Sequence, residues 1–307
     1  MTQEPDVDAF RNPFARYFAA TRPAFFGASL AACLIGFASA RRDGIELDAA
    51  TAWVALGSAM LAHAAVNVLN DYYDIDTDAQ NTGRIYPYTG GSRFIQNGVL
   101  TVRQTRNFGF GLLFAVMLAG LWLMLRSDFS LLYIGLAGLF TGWAYSAPPL
   151  RLSGRGLGEL CVAAGFVLIA VGADFVQRKG FSADPLIAAL CYSLLVANLL
   201  YMSQFPDREA DAAAGKLHWA ARLPPAQARW GFAAIASSAY GWLIFAVLQG
   251  WLPAAALSGL VALPLSALAA RQLFIHAHQP QRLGPAIRLT IAAMLLHGAT
   301  VSLALLV

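Results

Sequence analysis

What most constrains this chain is a series of apolar runs, each close to the roughly 20 residues needed to cross a bilayer core. Nine can be placed, at about 24–40, 50–69, 107–125, 129–147, 157–175, 185–205, 231–249, 251–270 and 286–306. Charged residues make up only 12% of the chain and hydrophobic residues 58%, whereas a soluble domain carries about 25% charged residues. The expected fold is therefore an all-α integral membrane bundle of nine spans. A polar N-terminal segment, 1–23, precedes a single transmembrane domain, 24–307. Two short links, "RSD" at 126–128 and "QGWLP" at 249–253, fit tight turns between spans.

Nine spans put the two termini on opposite sides of the membrane. Sixteen of the 21 basic residues then fall on the side of the N-terminus; the other side holds Arg41, Arg42, Arg126, Arg178 and Lys179. The positive-inside bias places the N-terminus in the cytoplasm. The opening "MTQEPDVDAFRNPFARYF" lacks the basic start and short apolar core of a signal peptide. Cys33, Cys161 and Cys191 are too scattered for a disulfide framework and are expected to be small core residues. No nucleic-acid partner is expected. The long loops at about 70–106 and 206–230 share the cytoplasmic side, and any chemistry should lie there.

The first of these loops begins with "NVLNDYYDIDTDAQN", Asn67 to Asn81, at the end of the second span. Wound as one helix at about 100° per residue, His63, Asn67, Asn70, Asp71, Asp74 and Asp78 fall within an arc of about 100°, with Asp76 on the far side. In a membrane bundle such a polar stripe faces the interior or a wet cavity. The second loop begins with "SQFPDREADAAAGK", where Asp207 and Asp211 are again four apart, Ser203 and Gln204 lie one turn earlier, and Pro206 is expected to kink or restart the helix. Carboxylates at this spacing have Cβ atoms about 5–6 Å apart and repel unless a cation lies between them. Mg²⁺ suits the pattern, because it takes one or two carboxylates plus phosphate oxygens rather than a full protein cage. Two facing pairs could clamp a diphosphate, with Arg84, Arg93 and Lys216 holding its other oxygens. A calcium loop fits poorly: "DIDTD" is followed by Ala79 where glycine is needed and by Ile85 where glutamate is needed.

These residues resemble the paired Asp-rich motifs of the UbiA superfamily of intramembrane aromatic prenyltransferases. The resemblance extends to "TRPAFFGASLAACLIG" at the first span and to "YSAPPLRLSGRGLGEL" at 145–160. "RGLGE" and "QFPDREADAAAGK" look most like the dihydroxynaphthoate polyprenyltransferases of menaquinone synthesis. The resemblance implies a helical bundle around a central cavity closed by cytoplasmic cap loops. It implies Mg²⁺-dependent transfer of a polyprenyl chain from its diphosphate to an aromatic acceptor, such as 1,4-dihydroxy-2-naphthoate or another quinone precursor. Carried over by position, Asn70, Asp74, Asp78, Asp207 and Asp211 would hold the metal and diphosphate, and Asp71 is the candidate base. Asp71, Asp74 and Asp207 thus form the expected catalytic set. The chain departs from the pattern at Ser203, where Asn is common, and at Asp174, expected to snorkel at the outer end of the fifth span.

Asn67, Tyr145 and Gln204 are expected to line the cavity, and so is His63, for which an ordinary hydrogen-bonded helix histidine stays open. Tyr73, Tyr145 or Trp143 could steady an allylic cation. Arg151 and Arg155 could close over the diphosphate, and "TGGSRFIQNG" could cradle phosphate on its backbone N–H groups. Arg22 reads as a topology anchor. Two alternatives stay open: a superfamily member that cyclises the chain or uses a non-aromatic acceptor, and a lipid transporter or binding protein.

Overall fold

Each apolar run folds as a helix in the computed structural model, which describes residues 4–307. The helices are α1 (Pro13–Ala20), α2 (Phe26–Arg42), α3 (Ala49–Tyr73), α4 (Ile75–Gln80), α5 (Val102–Arg126), α6 (Leu131–Ser146), α7 (Gly158–Arg178), α8 (Asp184–Ala213), α9 (Trp219–Arg222), α10 (Pro225–Leu248), α11 (Leu263–His276) and α12 (Gly284–Ala304). A 3₁₀ stretch, Ala254–Ala262, leads into α11 and completes that crossing. Among the described residues there is no strand. Eight crossings are long and apolar enough to span a membrane unaided, while α6, the remaining apolar run, has 16 residues and falls short.

Local sequence sets the helix ends. Asp48 accepts the Thr51 N–H at the start of α3, and Thr101 forms a capping box with Gln104 at the start of α5. α8 runs for 30 residues and passes through Pro206 without ending. The proline removes one backbone donor, but the helix continues through it.

Lipid offers helices no hydrophobic drive to associate, so close packing must hold the bundle together. Small residues supply it. A Cβ on Gly36 of α2 would lie 2.1 Å from the Ala170 carbonyl oxygen of α7, so only glycine allows that approach. α7 packs on α2, α6 and α8, α3 packs on α5, and α10 and α12 pack on α8.

The N-terminal segment is not separate from the rest. Phe10 and Ala20 are buried with Phe94, Val99 and Leu100, so α1 packs onto the loop between α4 and α5. Asp174, expected to snorkel, is only 1% exposed. The Arg178 guanidinium donates to both its oxygens at 2.8 and 2.9 Å and reaches Asp43 at 2.7 Å, so partners within the protein replace the missing water.

Candidate active site

A cavity of about 730 Å³ runs through the bundle. α2, α3, α5, α6, α7 and α8 ring it, and α10 to α12 pack outside. Most of its wall is aliphatic. Met117, Leu121, Leu132 and Leu136 line it and also lie on the lipid-facing surface, so the chamber is open to the bilayer between α5 and α6. Its polar groups gather at one end, under the loops that follow α3 and α8.

Asn70, Asp74 and Asp78 reach this end from one side, and Asp207 and Asp211 from the other. The first set does not lie on one helix. α3 stops at Tyr73, Asp74 takes φ −102° and ψ 15°, and α4 restarts at Ile75. Asp74 and Asp78 nonetheless both face the cavity, while Asp76 is exposed outside it. Asn70 donates to Asp74 Oδ2 at 2.6 Å and to the Ser146 hydroxyl at 3.0 Å. Burial, and the nearby carboxylates of Asp71 and Asp74, push the Asp78 carboxyl up to about 8.

Loop groups aim the second pair. Asn81 donates to Asp207 Oδ1 at 2.6 Å, and the Gly90 N–H donates to Oδ2 at 3.0 Å. Asn81 Oδ1 is buried without a partner. His218 Nε2 lies 2.9 Å from Asp211 Oδ2, and its Nδ1 accepts the Ala221 N–H at 3.2 Å. That second bond fixes the tautomer, so Nε2–H donates to Asp211. Lys216 Nζ joins the two sides, 2.6 Å from Asp74 Oδ2 and 3.8 Å from Asp211 Oδ1.

Of the other cavity residues expected from sequence, His63, Asn67, Tyr145 and Gln204 all line the chamber. His63 is also hydrogen-bonded, with Nδ1 2.9 Å from the Ser29 hydroxyl, so its two readings coexist. Ser203 lines the cavity as well, but its hydroxyl donates to the Leu199 carbonyl. Tyr73 and Trp143 do not line it.

Several expected roles need correction. Asp71 is buried, 5% exposed, and does not line the cavity; its Oδ1 takes both the Arg22 guanidinium and the Ser92 N–H. A carboxylate so engaged is a poor base but a good anchor. It holds Arg22 in the cavity wall, so this arginine is more than a topology anchor. Arg22 Nε is buried with no partner and remains available to an anion.

Arg84, Arg93 and Arg151 do not line the cavity. Arg84 donates to Glu4 and to the Asn81 carbonyl, both at 2.6 Å. Arg93 donates to the Asp78 carbonyl and so pins α4 under the loop. Arg151 is exposed, and Arg155 donates to the Pro149 carbonyl. The glycine loop uses its Gly90 and Ser92 N–H groups on carboxylates rather than leaving them free for phosphate.

Sequence reasoning gave Asn81 and His218 no role, read Arg22 as a topology anchor, and took Gly91 only as part of a loop that could cradle phosphate. Gly91 has φ +74°, and a Cβ there would lie 2.1 Å from Asp78 Oδ2, so the loop can cover the acids only with glycine. His218 follows Asp211 by seven residues, a spacing with no helical meaning once α8 has ended at Ala213.

The donor set suits a hard divalent cation. All four carboxylates are oxygen donors inside one cavity, and an ammonium already stands between two of them. Among the described residues no three His, Cys, Asp or Glu side chains form a metal cage on their own. A metal held here would need water or substrate oxygens to complete its shell.

Comparison with known proteins shows the family. The sequence model of the UbiA prenyltransferase family matches residues 29–302. The 1,4-dihydroxy-2-naphthoate octaprenyltransferase of Bacillus subtilis is 26% identical, across 94% of this chain and 91% of its own. The 2-carboxy-1,4-naphthoquinone phytyltransferase of Synechocystis is 28% identical, across 70% and 69%. A UbiA homologue from Archaeoglobus fulgidus, solved bound to GPP and Mg²⁺, has a similar fold: the TM-score is 0.60 at 16% identity, over 94% of this chain and 99% of that one. A homologue from Aeropyrum pernix gives a TM-score of 0.63 at 18% identity, over 89% and 96%. The chain is a member of the UbiA prenyltransferase family.

Proposed function

We propose that this protein transfers a polyprenyl group from polyprenyl diphosphate to 1,4-dihydroxy-2-naphthoate, or to a close quinone precursor, with Mg²⁺. One observation carries the reading: two carboxylate pairs face each other across the polar end of a chamber whose remaining wall is aliphatic. The diphosphate end of an amphiphile belongs at the acids and its tail in the chamber. The naphthoate acceptor rests on the curated relatives, several of which are naphthoate prenyltransferases. The capped end is proposed to face the cytoplasm, because the basic residues concentrate there.

Asp74 and Asp78 on one side, and Asp207 and Asp211 on the other, are the proposed metal–diphosphate holders, with Asn70 orienting Asp74. Bound there, Mg²⁺ supplies the positive charge that lets a diphosphate leave an allylic carbon. Lys216 and Arg22 take remaining phosphoryl oxygens and stabilise the charge that develops on them. The aliphatic wall keeps water from the allylic cation until a ring carbon of the acceptor attacks it; that carbon then loses its proton, or its carboxyl group as CO2, and the ring regains aromaticity. Tyr145 lines the cavity near the acids and offers that cation an aromatic face. Asp71 serves as the anchor of Arg22 rather than as the base.

The test incubates purified protein with Mg²⁺, radiolabelled polyprenyl diphosphate and a panel of acceptors. The panel holds dihydroxynaphthoate, 4-hydroxybenzoate, homogentisate and a control without acceptor. A single Mg²⁺-dependent prenylated naphthoate is expected. Diphosphate consumed equally without acceptor, or a product only from another ring, would overturn the assignment.

A further inference from the structure

A second cavity, of about 370 Å³, lies beside the first and shares no lining residue with it. Gly156, Glu159 and Leu160 form one wall, Tyr201 another, and Trp219, Leu223, Gly231, Ala234 and Ile235 the rest. Glu159 is the one ionisable acid in it. Both of its carboxylate oxygens are buried and neither has a hydrogen-bond partner. A buried carboxylate left without partners is costly, and its presence in a cavity calls for a donor that the chain does not supply.

The surroundings define that donor. The Tyr201 hydroxyl donates to the Ala228 carbonyl, so its oxygen can only accept a further bond. The Trp219 N–H is spent on the Gly156 carbonyl at 2.8 Å, which leaves the indole as an aromatic wall. A ligand entering here meets a carboxylate and aromatic faces with no free donor among them, which is the environment of an ammonium group.

The position of the cavity defines the rest of the ligand. It sits where α7 and α10 begin and α8 nears its end, at the capped end of the bundle where lipid headgroups lie. Leu160 is 66% exposed and Trp219 47% exposed, so the mouth opens sideways. The exposed Arg222 guanidinium lies 5.7 Å from the Trp219 ring, which lines the cavity, and donates from one amino group to the Arg155 carbonyl, so its other N–H groups supply a cation at the cavity's edge. An amine next to a phosphate, on an apolar tail, matches this order of charges.

We propose that the Glu159 cavity is a binding site for an aminophospholipid, phosphatidylethanolamine, with its ammonium on Glu159, its phosphate toward Arg222 and its chains along Leu160, Ala234 and Ile235. The site is independent of the prenyl-transfer chamber.

The experiment is native mass spectrometry of the delipidated full-length protein titrated with phosphatidylethanolamine, phosphatidylcholine or phosphatidylglycerol. One phosphatidylethanolamine should be retained at least about tenfold more tightly than either other lipid, since phosphatidylcholine lacks N–H donors and phosphatidylglycerol lacks the cation. Glu159→Gln should lose that preference while keeping its melting temperature in lipid-free detergent, because the substitution removes an unpaired buried charge. Ala234→Phe, which fills the mouth from an exposed position, should abolish retention with prenyl transfer intact. Equal binding of the three lipids would overturn the proposal. So would unchanged preference in Glu159→Gln, or retention that survives Ala234→Phe.

Discussion

Replacing Lys216 with methionine tests the site without relying on catalysis. Its ammonium lies 2.6 Å from Asp74 Oδ2 and 3.8 Å from Asp211 Oδ1, and it joins an acid at the break between α3 and α4 to one on α8. Methionine keeps the length of the side chain and removes the charge. A hydrogen bond between charged groups contributes about 1.5–3 kcal/mol. Breaking a fully buried pair costs about 3–5 kcal/mol, because the partner stays buried and unpaired. Lys216 is 21% exposed at its side chain, so water relieves part of that cost and the lower range applies. The expected loss is about 2–3 kcal/mol. At about 2 °C per kcal/mol for a chain of this size, Tm falls by about 4–6 °C in EDTA. Mg²⁺ should then do more for the variant than for the wild type. In Lys216→Met the cation competes with no ammonium, so its binding is tighter and its stabilisation larger by mass action. The assay is thermal unfolding in detergent with EDTA or millimolar Mg²⁺. A variant as stable as wild type in EDTA, or one whose loss Mg²⁺ leaves untouched, would refute the view that Lys216 stands between carboxylates built to hold a cation.

The remaining expectations follow from placement in the same way. Asp74→Ala and Asp78→Ala should each lower prenyl transfer by at least about a hundredfold, while Asp76→Ala, an exposed residue outside the cavity, should stay near wild type; equal losses in radiolabelled transfer would break the assignment of faces. Gly91→Ala should abolish transfer, because its Cβ would overlap Asp78 Oδ2 at 2.1 Å. Gly98→Ala has a similar φ of +71° with nothing within 4 Å, so it should cost only the left-handed strain, about 1–2 kcal/mol of stability with activity retained. Asp71→Asn removes the charged anchor of Arg22 and should lower kcat/KM about tenfold or more. If Asp71 were instead the base, the loss would appear wholly in kcat and would shift the pH–rate profile.

Eight of the nine expected crossings were legible because bilayer thickness sets a minimum length for a spanning helix, which α6 does not reach, and the acid pairs because an i to i+4 spacing survives most local irregularity. Asp74 and Asp78 share the cavity even though the helix breaks between Tyr73 and Ile75. The basic residues were not legible. A positive charge near a phosphate site looks the same in sequence whether it meets phosphate or its own chain. Arg84 meets Glu4, Arg93 meets the Asp78 carbonyl, and Arg155 meets Pro149. Arg22 looked like an anchor because its partner Asp71 lies 49 residues away. Asp71 looked like a base because helical spacing fixes a face and not what already occupies that face. His218 and Asn81 lay beyond reach because each acts only after a loop folds back onto an acid from another element.

The placement of charge also explains why a chain so poor in ionisable groups concentrates acids here. Asp74, Asp78, Asp207 and Asp211 face the cavity, against only Lys216 and Arg22. A diphosphate brought alone to such a place would meet acids on both sides with only Lys216 and Arg22 to offset them. Brought with a divalent cation, it would bring positive charge to those acids, and the ammonium of Lys216, 2.6 Å from Asp74 Oδ2, would be free to meet a phosphoryl oxygen. On the proposed reading, these four acids would hold the metal, and the diphosphate would bind with the metal or after it. The same balance accounts for the loop chemistry. Asn81, the Gly90 N–H and His218 donate to acids from behind and leave the remaining carboxylate lone pairs pointing into the chamber. These neutral donors orient the carboxylates without cancelling their charge, which stays available to the cation.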